Sequence, residues 1–594
     1  MKSLWRTLVE LFGVLPKGSK PFYIRYSIIT SALAILDTLA LALIVAVVTP
    51  IASGQEIRLP VIGHVPDESI VWIIVVICGL FLLKSVLAIL LHWFATRRFA
   101  RYELEVGDAL FRAYTHSSWE KRSQISTAEV TRIVDSSMAN ANLGFILPLS
   151  QVPGNVLTFV SVLAVLVIAQ PATALVALLY LSAFSALMLL VISRRARQAG
   201  LNNRKYAYRV ATIMTEMVDA LKEVALRGKL DEIGGVISKN RRIATRARAN
   251  ISFLGIVPKY AFESALIGGF LVVGGSAYLI GDGGMAAATT AVALFAATGF
   301  RMIPAMTTVQ SAFTTAGANE VYARDVIREL SAARREDVVS AQAEDRAALP
   351  QQTRSLELRD VGFRYPGAEQ NVLDGLTLTV PFGSSLAIVG PSGAGKSTLI
   401  DILLGLSVPT AGELAVDDVP ITDVMKQWRS RVGYVPQRVA LFDASIAQNV
   451  ALTWEDDYDP ERVRVALERA HLGELTRRGR GIEEHIGERG AAISGGQQQR
   501  LGIARALYSD PLVMVMDEAT SSLDTATENR VTESMRELQG EVTFITVAHR
   551  LATIRDYDQV CYLDRGRILG RGTFEEVVAQ VPEFRLQAEL AGLL

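Results

Sequence analysis

A glycine-rich segment at 390–398 has the residue types and spacing of a phosphate-binding loop. Gly390 is followed, after four residues, by Gly395, Lys396 and Ser397, between an apolar strand-like segment (LAIV) and a helix-like one (LIDILLGL). Small residues there allow backbone N–H groups to close around phosphate oxygens at the start of a helix. The Lys396 ammonium can reach the β- and γ-phosphates of a nucleotide, and the Ser397 hydroxyl can ligate Mg²⁺. A chance glycine-rich turn would not require this whole pattern.

Two carboxylates end a second apolar segment, LVMVMDE at 512–518. Burial of the strand holds Asp517 at its C-terminal end, where the carboxylate can reach Mg²⁺ directly or through water. Glu518 points elsewhere and can orient and deprotonate an attacking water molecule. An apolar strand that ends in two acids is weak evidence on its own. Following a phosphate-binding loop in the chain, it predicts nucleotide hydrolysis.

The segment ISGGQQQR at 493–500 predicts a second anion site. It is a loop that begins a helix (LGIARALY), and Ser494 with the backbone of Gly495 and Gly496 can bind an anion at that helix N-terminus. An ordinary helix start has no need of two glycines and a glutamine, Gln497, in this order.

The composition places these motifs in a membrane protein. Half of the 594 residues are hydrophobic, and the long apolar runs lie in residues 1–320, whereas 355–594 have the composition of a soluble domain. The chain has 60 lysine and arginine residues in total and 60 aspartate and glutamate residues in total. No excess of basic residues therefore points to nucleic acid as a partner. The chain has two cysteines, Cys78 and Cys561, which excludes a disulfide scaffold and a cysteine-rich metal site.

Six apolar segments are long enough to cross a hydrocarbon core of about 30 Å, which takes about 20 helical residues. They are 22–50, 70–96, 140–169, 172–193, 253–280 and 286–316. Residues 1–20 have the pattern of an interfacial helix. Lysine and arginine are dense near the N-terminus and in the loops 97–132 and 194–248, so the positive-inside bias places both termini and both loops in the cytoplasm. We therefore predict a multi-pass protein of the plasma membrane (the inner membrane of a bacterium), with the loops continuing the membrane helices.

The order of the motifs resembles the nucleotide-binding domain of an ABC transporter, with Ile493 where the signature usually has leucine. The resemblance covers the whole soluble half. It implies that ATP is bound by Gly390, Ser392, Gly393, Gly395, Lys396, Ser397, Thr398, Ser494, Gly495, Gly496 and Gln497.

The same resemblance implies roles for residues outside these loops. Tyr365 in FRYPG matches the aromatic residue that stacks on adenine, and Asp524 in SSLD lies in the segment that crosses the dimer interface. The implied catalytic set is Lys396, Gln437 in YVPQ, Glu518 and His549 in TVAHR, where His549 contacts the γ-phosphate. The implied Mg²⁺ set is Ser397, Gln437 and Asp517.

Six spans followed by an ATPase resemble the ABC exporters of the type IV fold. We predict an all-α transmembrane domain at 1–330 with coupling helices near 117–126 and 220–228, a linker at 331–353, and an α/β P-loop ABC ATPase domain at 354–594. In this family each ATP lies between the phosphate-binding loop of one subunit and the signature of the other. Because the chain holds one copy of each motif, it is predicted to be half of a transporter that acts as a homodimer; a heterodimer is the alternative.

Three basic residues within the apolar spans are candidate substrate ligands, since charges embedded in a membrane are costly. A rise of about 1.5 Å per residue puts Lys84, Lys259 and Arg301 near one level of the membrane, where they can hold a phosphate or diphosphate group. Structural alternatives stay open: Lys259 and Glu263 can neutralise each other at i,i+4. Lys84 can snorkel to the membrane surface, and Arg301 can face helix ends. Asp37, on the first span, can pair with a cation or face an aqueous cavity.

The segments LFLLKSVL, IVPKYAFES and GFRMIPA around these residues resemble bacterial lipid-linked oligosaccharide flippases of protein glycosylation. Those proteins carry basic residues at the matching positions, and the external loop 51–69 is long enough for the short helix that they carry. The chain departs from them in having lysine at two positions where arginine is expected, and lysine cannot bind phosphate bidentately. The resemblance implies ATP-driven export or flipping of an amphipathic substrate, an anionic lipid-linked (diphosphate) oligosaccharide. A general exporter of drugs, lipids or peptides, with a more apolar cavity, is the alternative.

Overall fold

The chain divides into two compact units. The first comprises Met1–Ser117 with Arg122–Glu336, and the second comprises Ser118–Lys121 with Asp337–Leu594. The computed structural model describes residues 2–594 except 54–57, 60–62, 65–69, 281–283, 341–344, 351, 478, 488–489, 519–530, 534 and 549.

Residues 2–340 form helices almost throughout their described part. The helices are α1 (Lys2–Val14), α2 (Ser19–Ser53), α3 (Ile70–Thr115), α4 (Trp119–Gln124), α5 (Thr127–Thr131), α6 (Met138–Ala141), α7 (Leu147–Ala169), α8 (Pro171–Asp219), α9 (Leu221–Leu226), α10 (Leu230–Ile280) and α11 (Gly284–Ser340). Two π-helical turns, Arg132–Ser137 and Asn142–Ile146, join α5, α6 and α7 into one continuous run.

Five helical segments among the described residues are long and apolar enough to cross a membrane. They are Val71–Thr115, Glu129–Ala169, Pro171–Asp219, Leu230–Leu279 and Gly284–Arg334. They contain five of the six predicted spans and run on into the charged loops, which confirms that these loops extend the membrane helices. The remaining predicted span, 22–50, falls in α2, whose side chains beyond residue 43 lie outside the described residues.

The surface of these helices is apolar, as it is in a protein whose solvent is lipid. The side chains of Ile168, Leu271 and Leu279 are 86%, 79% and 81% exposed. Small residues fill the contacts between helices instead: a Cβ on Gly200 of α8 would overlap the backbone of Ala318 on α11. Close approach through small residues is the usual packing mode of membrane helices.

Two segments outside the predicted spans are described in part. The predicted linker, 331–353, begins as helix, since α11 continues as far as Ser340 and an alanine-rich sequence favours helix. In the external loop 51–69, the described residues include the paired strands β1 (Arg58–Leu59) and β2 (Gly63–His64). Most of this loop, and with it the expected short helix, lies outside the described residues.

A buried carboxylate on α11 joins three helical segments of the first unit. Asp325 has a side chain that is 4% exposed, and it accepts hydrogen bonds from Arg132 at 2.7 Å and from Nε and Nη2 of Arg204 at 2.9 and 2.7 Å. Arg204 lies on α8. The paired arrangement supplies the counter-charge and hydrogen bonds that a buried carboxylate requires.

A second buried carboxylate, Glu320, attaches the N-terminal helix to α11. It accepts hydrogen bonds from Ser3 at 2.7 Å and Thr7 at 3.1 Å on α1, and it pairs with Arg324 at 2.6 Å and Arg197 at 3.3 Å. The helix predicted for residues 1–20 is thus present as α1, and its polar face is held by a specific ion-pair network.

The second unit consists of two sheets and the helices that cover them. Its strands are β3 (Ser355–Phe363), β4 (Leu373–Pro381), β5 (Ser385–Val389), β6 (Ala411–Val416), β7 (Val419–Pro420), β8 (Val432–Val435), β9 (Val513–Asp517), β10 (Thr543–Val547), β11 (Gln559–Asp564) and β12 (Arg567–Gly572). Its helices are α12 (Lys396–Leu403), α13 (Met425–Ser430), α14 (Ile446–Ala451), α15 (Pro460–Arg469), α16 (Gly495–Tyr508), α17 (Leu551–Ile554), α18 (Phe574–Gln580) and α19 (Pro582–Leu590).

The larger sheet has the strand order β12-β11-β5-β10-β9-β8, and the smaller one has the order β4-β3-β6-β7. Strands β8, β9, β10, β5 and β11 are parallel, and β12 is an antiparallel edge. Strand β5 is buried along its whole length, as parallel strands covered on both faces are. Leu399 of α12 and Leu356 of β3 belong to one hydrophobic core, whereas Leu501 of α16 and Leu467 of α15 belong to another.

Replacement of Asp325 by asparagine tests the ion-pair network of the first unit. The change leaves the partly buried Arg132 and Arg204 without a full counter-charge, which is expected to lower the free energy of unfolding by about 3 kcal/mol. The midpoint of thermal unfolding in detergent measures the effect. Glu329→Gln on the same helix is the control, because Glu329 pairs with the exposed Arg328 and such pairs contribute at most about 1 kcal/mol. Equal midpoints for both variants would contradict the assigned role of Asp325.

Candidate functional site

The phosphate-binding loop lies between β5 and α12, as predicted. A Cβ on Gly390 would overlap the carbonyl oxygen of Leu563, so only glycine fits where β5 ends. Gly395 has φ +103° and caps α12, and a Cβ there would also come within 2.7 Å of the Leu373 side chain. The backbone conformation therefore requires both glycines of the motif. Because neither has a side chain, the start of α12 remains open toward the loop.

Lys396 folds back over this loop. Its Nζ donates to the carbonyl oxygens of Gly390 at 2.8 Å and Pro391 at 3.0 Å. Partial burial lowers the pKa of the ammonium, and the negative charges of Glu518 and Asp517 act in the opposite direction. The lysine thus lies close enough to both carboxylates to interact with them electrostatically.

The aromatic residue predicted to stack on adenine lies beside the loop helix. The Tyr365 hydroxyl is 3.1 Å from Oγ1 of Thr398, and its ring meets that of Phe363 edge to face at 5.0 Å. Ser392, Gly393 and Ser397 are exposed at the mouth of the loop. Tyr365 therefore contacts the helix that follows the loop.

The carboxyl ends of β8 and β9 bring the polar residues Gln437, Asp517 and Glu518 to one edge of the sheet. Met516 pairs with Val435 across these strands, so the residues that follow each strand meet at the same edge. Nε2 of Gln437 donates to Oε2 of Glu518 at 2.6 Å. Glu518 itself has φ +48°, and its N–H donates to the carbonyl of Val547 at 3.1 Å, which anchors its backbone to the end of β10.

The signature segment begins α16 with a capping box. The Ser494 hydroxyl accepts from the N–H of Gln497 at 3.3 Å, and Oε1 of Gln497 accepts from the N–H of Ser494 at 3.0 Å. Gln497 also donates to Glu474 at 2.9 Å. The N–H groups of Gly495 and Gly496 lie in the first helical turn, where no intrahelical acceptor exists. The site predicted at this helix N-terminus thus keeps two outward-facing donors.

Two predicted site residues, Asp524 and His549, lie outside the described residues. Among the described residues, no group of three or more His, Cys, Asp and Glu side chains is arranged to hold a metal ion. The predicted Mg²⁺ set has a different composition: it combines one carboxylate, Asp517, with the hydroxyl of Ser397 and the amide of Gln437.

Sequence reasoning missed a polar cluster on the loop helix α12 and the turn that follows it, within the second unit. Burial raises the pKa of Asp401 to about 6, although a hydrogen bond with Trp119 acts in the opposite direction. Oγ of Ser407 donates to Oε1 of Glu120 at 2.6 Å. Trp119 and Glu120 come from α4, one of the two short helices found where coupling helices were predicted, and α9 is the other. No local pattern links residues so distant in sequence.

A cavity of about 500 Å³ in the first unit contains two of the three predicted substrate residues. It lies between α2, α3, α7 and α11. Lys84 of α3 and Arg301 of α11 line it, and the guanidinium of Arg301 is 5.5 Å from the ring centre of Phe81. The other polar lining residues are Tyr26, Thr30, His92, Gln151, Asn155, Thr158 and Thr308.

The third residue, Lys259, does not line this cavity. Its ammonium lies 5.6 Å from the ring centre of the neighbouring Tyr260. Both Lys259 and Glu263 are exposed, and no ion pair joins them, so no direct contact supports the alternative of mutual neutralisation. The predicted set of three cations is therefore brought together only in part.

Comparisons with known proteins show which architecture the two units resemble. Residues 373–521 match the family model described as ABC transporter. Over 97% of this chain and 99% of the other, the fold matches the structure of a bacterial Atm1-family ABC exporter with ATP bound, with a TM-score of 0.72 and 22% identity. The chain thus has the predicted fold class, a helical transmembrane domain followed by an ABC ATPase domain.

Curated relatives match a smaller part of the chain. An ATP-dependent lipid A-core flippase of Pseudoalteromonas atlantica is 42% identical over 227 residues, 38% of this chain and 39% of that protein. The ATP-dependent lipid A-core flippase of Bordetella avium is 40% identical over 226 residues, 38% of each chain. A β-(1→2)glucan export ATP-binding/permease protein of Agrobacterium fabrum is 37% identical over 262 residues, 44% of each chain. The chain thus aligns with 38–44% of the length of these relatives.

Replacement of Glu518 by glutamine tests its chemical role. The amide keeps the size of the side chain but cannot accept a proton from water, so ATP hydrolysis is expected to fall at least about 100-fold while ATP binding persists. Phosphate release and nucleotide binding by the purified protein measure the two effects. Glu455→Gln, an exposed residue of the same unit, is the control. Hydrolysis within about twofold of the wild type would show that Glu518 is not the general base.

Replacement of Ser494 by arginine tests the second anion site. The guanidinium fills the space in front of α16 and opposes its helix dipole, so ATP turnover in a preparation that contains only the variant is expected to fall about 100-fold. The exposed Ser430, changed to arginine, controls for added bulk and charge. Turnover that survives in the Ser494 variant would show that the signature does not complete a nucleotide site.

Proposed function

We propose that this protein uses ATP hydrolysis to export or flip an amphipathic substrate across a membrane. The fold of an ABC exporter and the match of residues 373–521 to the ABC transporter family support this proposal. Relatives named as an ATP-dependent lipid A-core flippase and as a β-(1→2)glucan export protein support it as well, since the first name refers to flipping of a lipid and the second to export of a glucan.

The residues at the edge of the sheet fit ATP with Mg²⁺. The glycine positions of the loop leave room for phosphate oxygens, and the Lys396 ammonium already donates to oxygen acceptors there. Ser397, Gln437 and Asp517 would hold Mg²⁺, which when bound neutralises phosphate charge. Glu518 would take the proton of the attacking water. The amide of Gln437 would hold the Glu518 carboxylate in place. The hydrogen bond to the amide fixes the orientation of the carboxylate before water attacks.

Two copies of the chain would complete two nucleotide sites. The helix after the phosphate-binding loop packs in one hydrophobic core of the second unit and the signature helix in another, which is compatible with the two motifs serving different nucleotides. Each ATP would then lie between the loop of one subunit and Ser494 of the other, with Asp524 and His549 completing the site. Each catalytic position within the described residues holds the residue type that ATP hydrolysis requires. This favours a homodimer over a heterodimer with a second subunit that lacks catalytic residues.

For the substrate, we propose an anionic lipid-linked oligosaccharide with a diphosphate group. The observation that carries this proposal is that Lys84 and Arg301, from different helices, line one polar cavity among apolar helices. Charges embedded in a membrane are candidates for a functional role, and two cations that line one cavity can bind a phosphate group through charge-assisted hydrogen bonds. The neighbouring tyrosine, threonine and amide side chains supply donors and acceptors for sugars.

A general exporter of drugs, lipids or peptides is the second candidate function. The same cavity has an apolar wall that includes Leu33, Leu91 and Phe300, which could hold a hydrophobic compound without any diphosphate. In either case, the protein would lie in the cell membrane with both termini in the cytoplasm, and α4 and α9 would transmit closure of the ATPase domains.

Changing both cavity cations to glutamine separates the two candidate functions. Each charge-assisted contact to phosphate contributes about 1.5–3 kcal/mol, so Lys84→Gln with Arg301→Gln is expected to abolish flipping of a polyprenyl-diphosphate glycan in proteoliposomes. Each single change is expected to have a partial effect. Lys259→Gln removes the same kind of charge outside the cavity and is expected to retain flipping.

Normal flipping of the diphosphate lipid by the double variant would leave the oligosaccharide proposal without its residue-level support. The general exporter would then be the better explanation. Its own test is stimulation of ATP hydrolysis by hydrophobic drugs and neutral lipids in nanodiscs.

A further inference from the structure

Contacts between helices define two levels in the cavity of about 500 Å³. At one level, Nδ1 of His92 on α3 is 3.4 Å from the Tyr26 hydroxyl on α2, and the Tyr26 side chain also interacts with Gln151 of α7. At the other level, the guanidinium of Arg301 on α11 lies 5.5 Å from the ring centre of Phe81 on α3. The helices are thus held in register at both levels.

The two levels are well separated along the helices. On α3, Lys84 precedes His92 by eight residues, which corresponds to about 12 Å at about 1.5 Å per residue. On α11, Arg301 precedes Thr308 by seven residues, or about 10 Å. The cavity therefore has a cationic end, formed by Lys84 and Arg301, and a hydrogen-bonding end, which lies nearer to the charged extensions of α3 and α11.

The hydrogen-bonding end consists of Tyr26, His92 and Gln151, whose polar groups interact across α2, α3 and α7. The second ring nitrogen of His92 has no hydrogen-bond partner among the residues that the structure describes. The other uncharged polar residues of the cavity donate to carbonyl oxygens of their own helices: Thr30, Asn155, Thr158 and Thr308. The first three residues are therefore the ones best placed to bind a ligand.

An apolar surface adjoins the cationic end. Phe300 lines the cavity next to Arg301, and 71% of its side chain is exposed. Leu33 of α2 also lines the cavity, seven residues beyond Tyr26, so it lies about 10 Å from the hydrogen-bonding end. Along its length, the cavity thus offers apolar surface and cations at one end and uncharged hydrogen-bonding groups at the other.

We propose that Tyr26, His92 and Gln151 form a subsite for the sugar that is bonded directly to the diphosphate of a lipid-linked substrate. This inference rests on the diphosphate substrate proposed above, and it adds the orientation of that substrate and the residues that select its first sugar. The diphosphate lies at the cationic end, and the polyprenyl chain lies along Phe300. The order of the groups in the lipid then matches the order of the surfaces in the cavity.

The chemistry of the three side chains suits a sugar. Sugar hydroxyls both donate and accept hydrogen bonds. The tyrosine hydroxyl does the same, the glutamine amide has two donors and a carbonyl acceptor, and a neutral imidazole has one donor and one acceptor. A site built from such groups binds poorly to a ligand that leaves them unpaired. A polyprenyl diphosphate without a sugar is therefore expected to bind less tightly than a glycosylated one.

Two lipids that differ only in the sugar test this proposal. The probes are undecaprenyl diphosphate and undecaprenyl diphosphate that carries one glucose residue, and native mass spectrometry of the full-length protein in detergent measures their affinities. The wild type is expected to bind the glucosylated lipid at least about tenfold more tightly, which corresponds to about 1.4 kcal/mol. Equal affinities would overturn the sugar subsite and leave the diphosphate proposal standing. Binding of neither lipid would overturn both.

The pair Tyr26→Phe with Gln151→Leu removes two hydrogen-bonding groups and nearly keeps the size of both side chains. This variant is expected to bind the two lipids within about twofold of each other, or about 0.4 kcal/mol. The matched control is Ser31→Ala with Ser150→Ala on the same two helices. Neither serine lines the cavity, and each donates to a carbonyl oxygen of its own helix.

The control is expected to retain the preference of the wild type for the glucosylated lipid. A preference that persists in the first pair, or that is lost equally in both pairs, would overturn the proposal. If the first pair does not fold, Tyr26→Phe alone removes a hydroxyl group and leaves the ring in place. This change is expected to reduce the preference about threefold, the effect of one hydrogen bond, and an undiminished preference would also overturn the proposal.

Discussion

The two-sided pairing of β9 is the constraint on which the ATPase unit depends. β9 is hydrogen-bonded to β8 on one side and to β10 on the other, so its carboxyl end cannot shift along the chain direction without breaking both ladders. Asp517 ends this strand, and Glu518 follows in a left-handed conformation anchored to Val547. Because β8 ends at the same edge, Gln437 reaches Glu518. The chemistry of the unit is thus positioned by strand register.

The packing of the helical unit depends on other interactions. Its surface is apolar, and in lipid the hydrophobic effect does not favour one pairing of helices over another. Specific polar contacts select the helix pairs where the helices continue beyond their apolar segments. Asp325 can be satisfied only when Arg132 and Arg204 both reach it, and Glu320 only when α1 lies against α11. Small residues such as Gly200 then set how closely the helices approach.

Much of this organisation could be predicted from the sequence, because the phosphate-binding loop, the strand ending in Asp517 and the long apolar segments each follow from a local pattern. The sequence also gives the depth of a residue along a helix, since the rise per residue is fixed. It does not show which neighbouring helix a given face meets. Lys84 and Arg301 share a cavity, whereas Lys259 lies on α10, which contributes no residue to that cavity. The contact of Ser407 with Glu120 has no local pattern at all.

The distribution of charge within the helical unit distinguishes cations that fix helix packing from cations that do not. Arg132 and Arg204 lie against a buried carboxylate, so their charges are neutralised within the fold. Arg195, Arg242 and Arg246 are exposed on the charged extensions of α8 and α10, and they form no ion pair with another described residue. The positive-inside bias favours such residues on one side of a membrane, so their presence needs no buried partner, whereas the choice of helix pairs depends on the buried carboxylates.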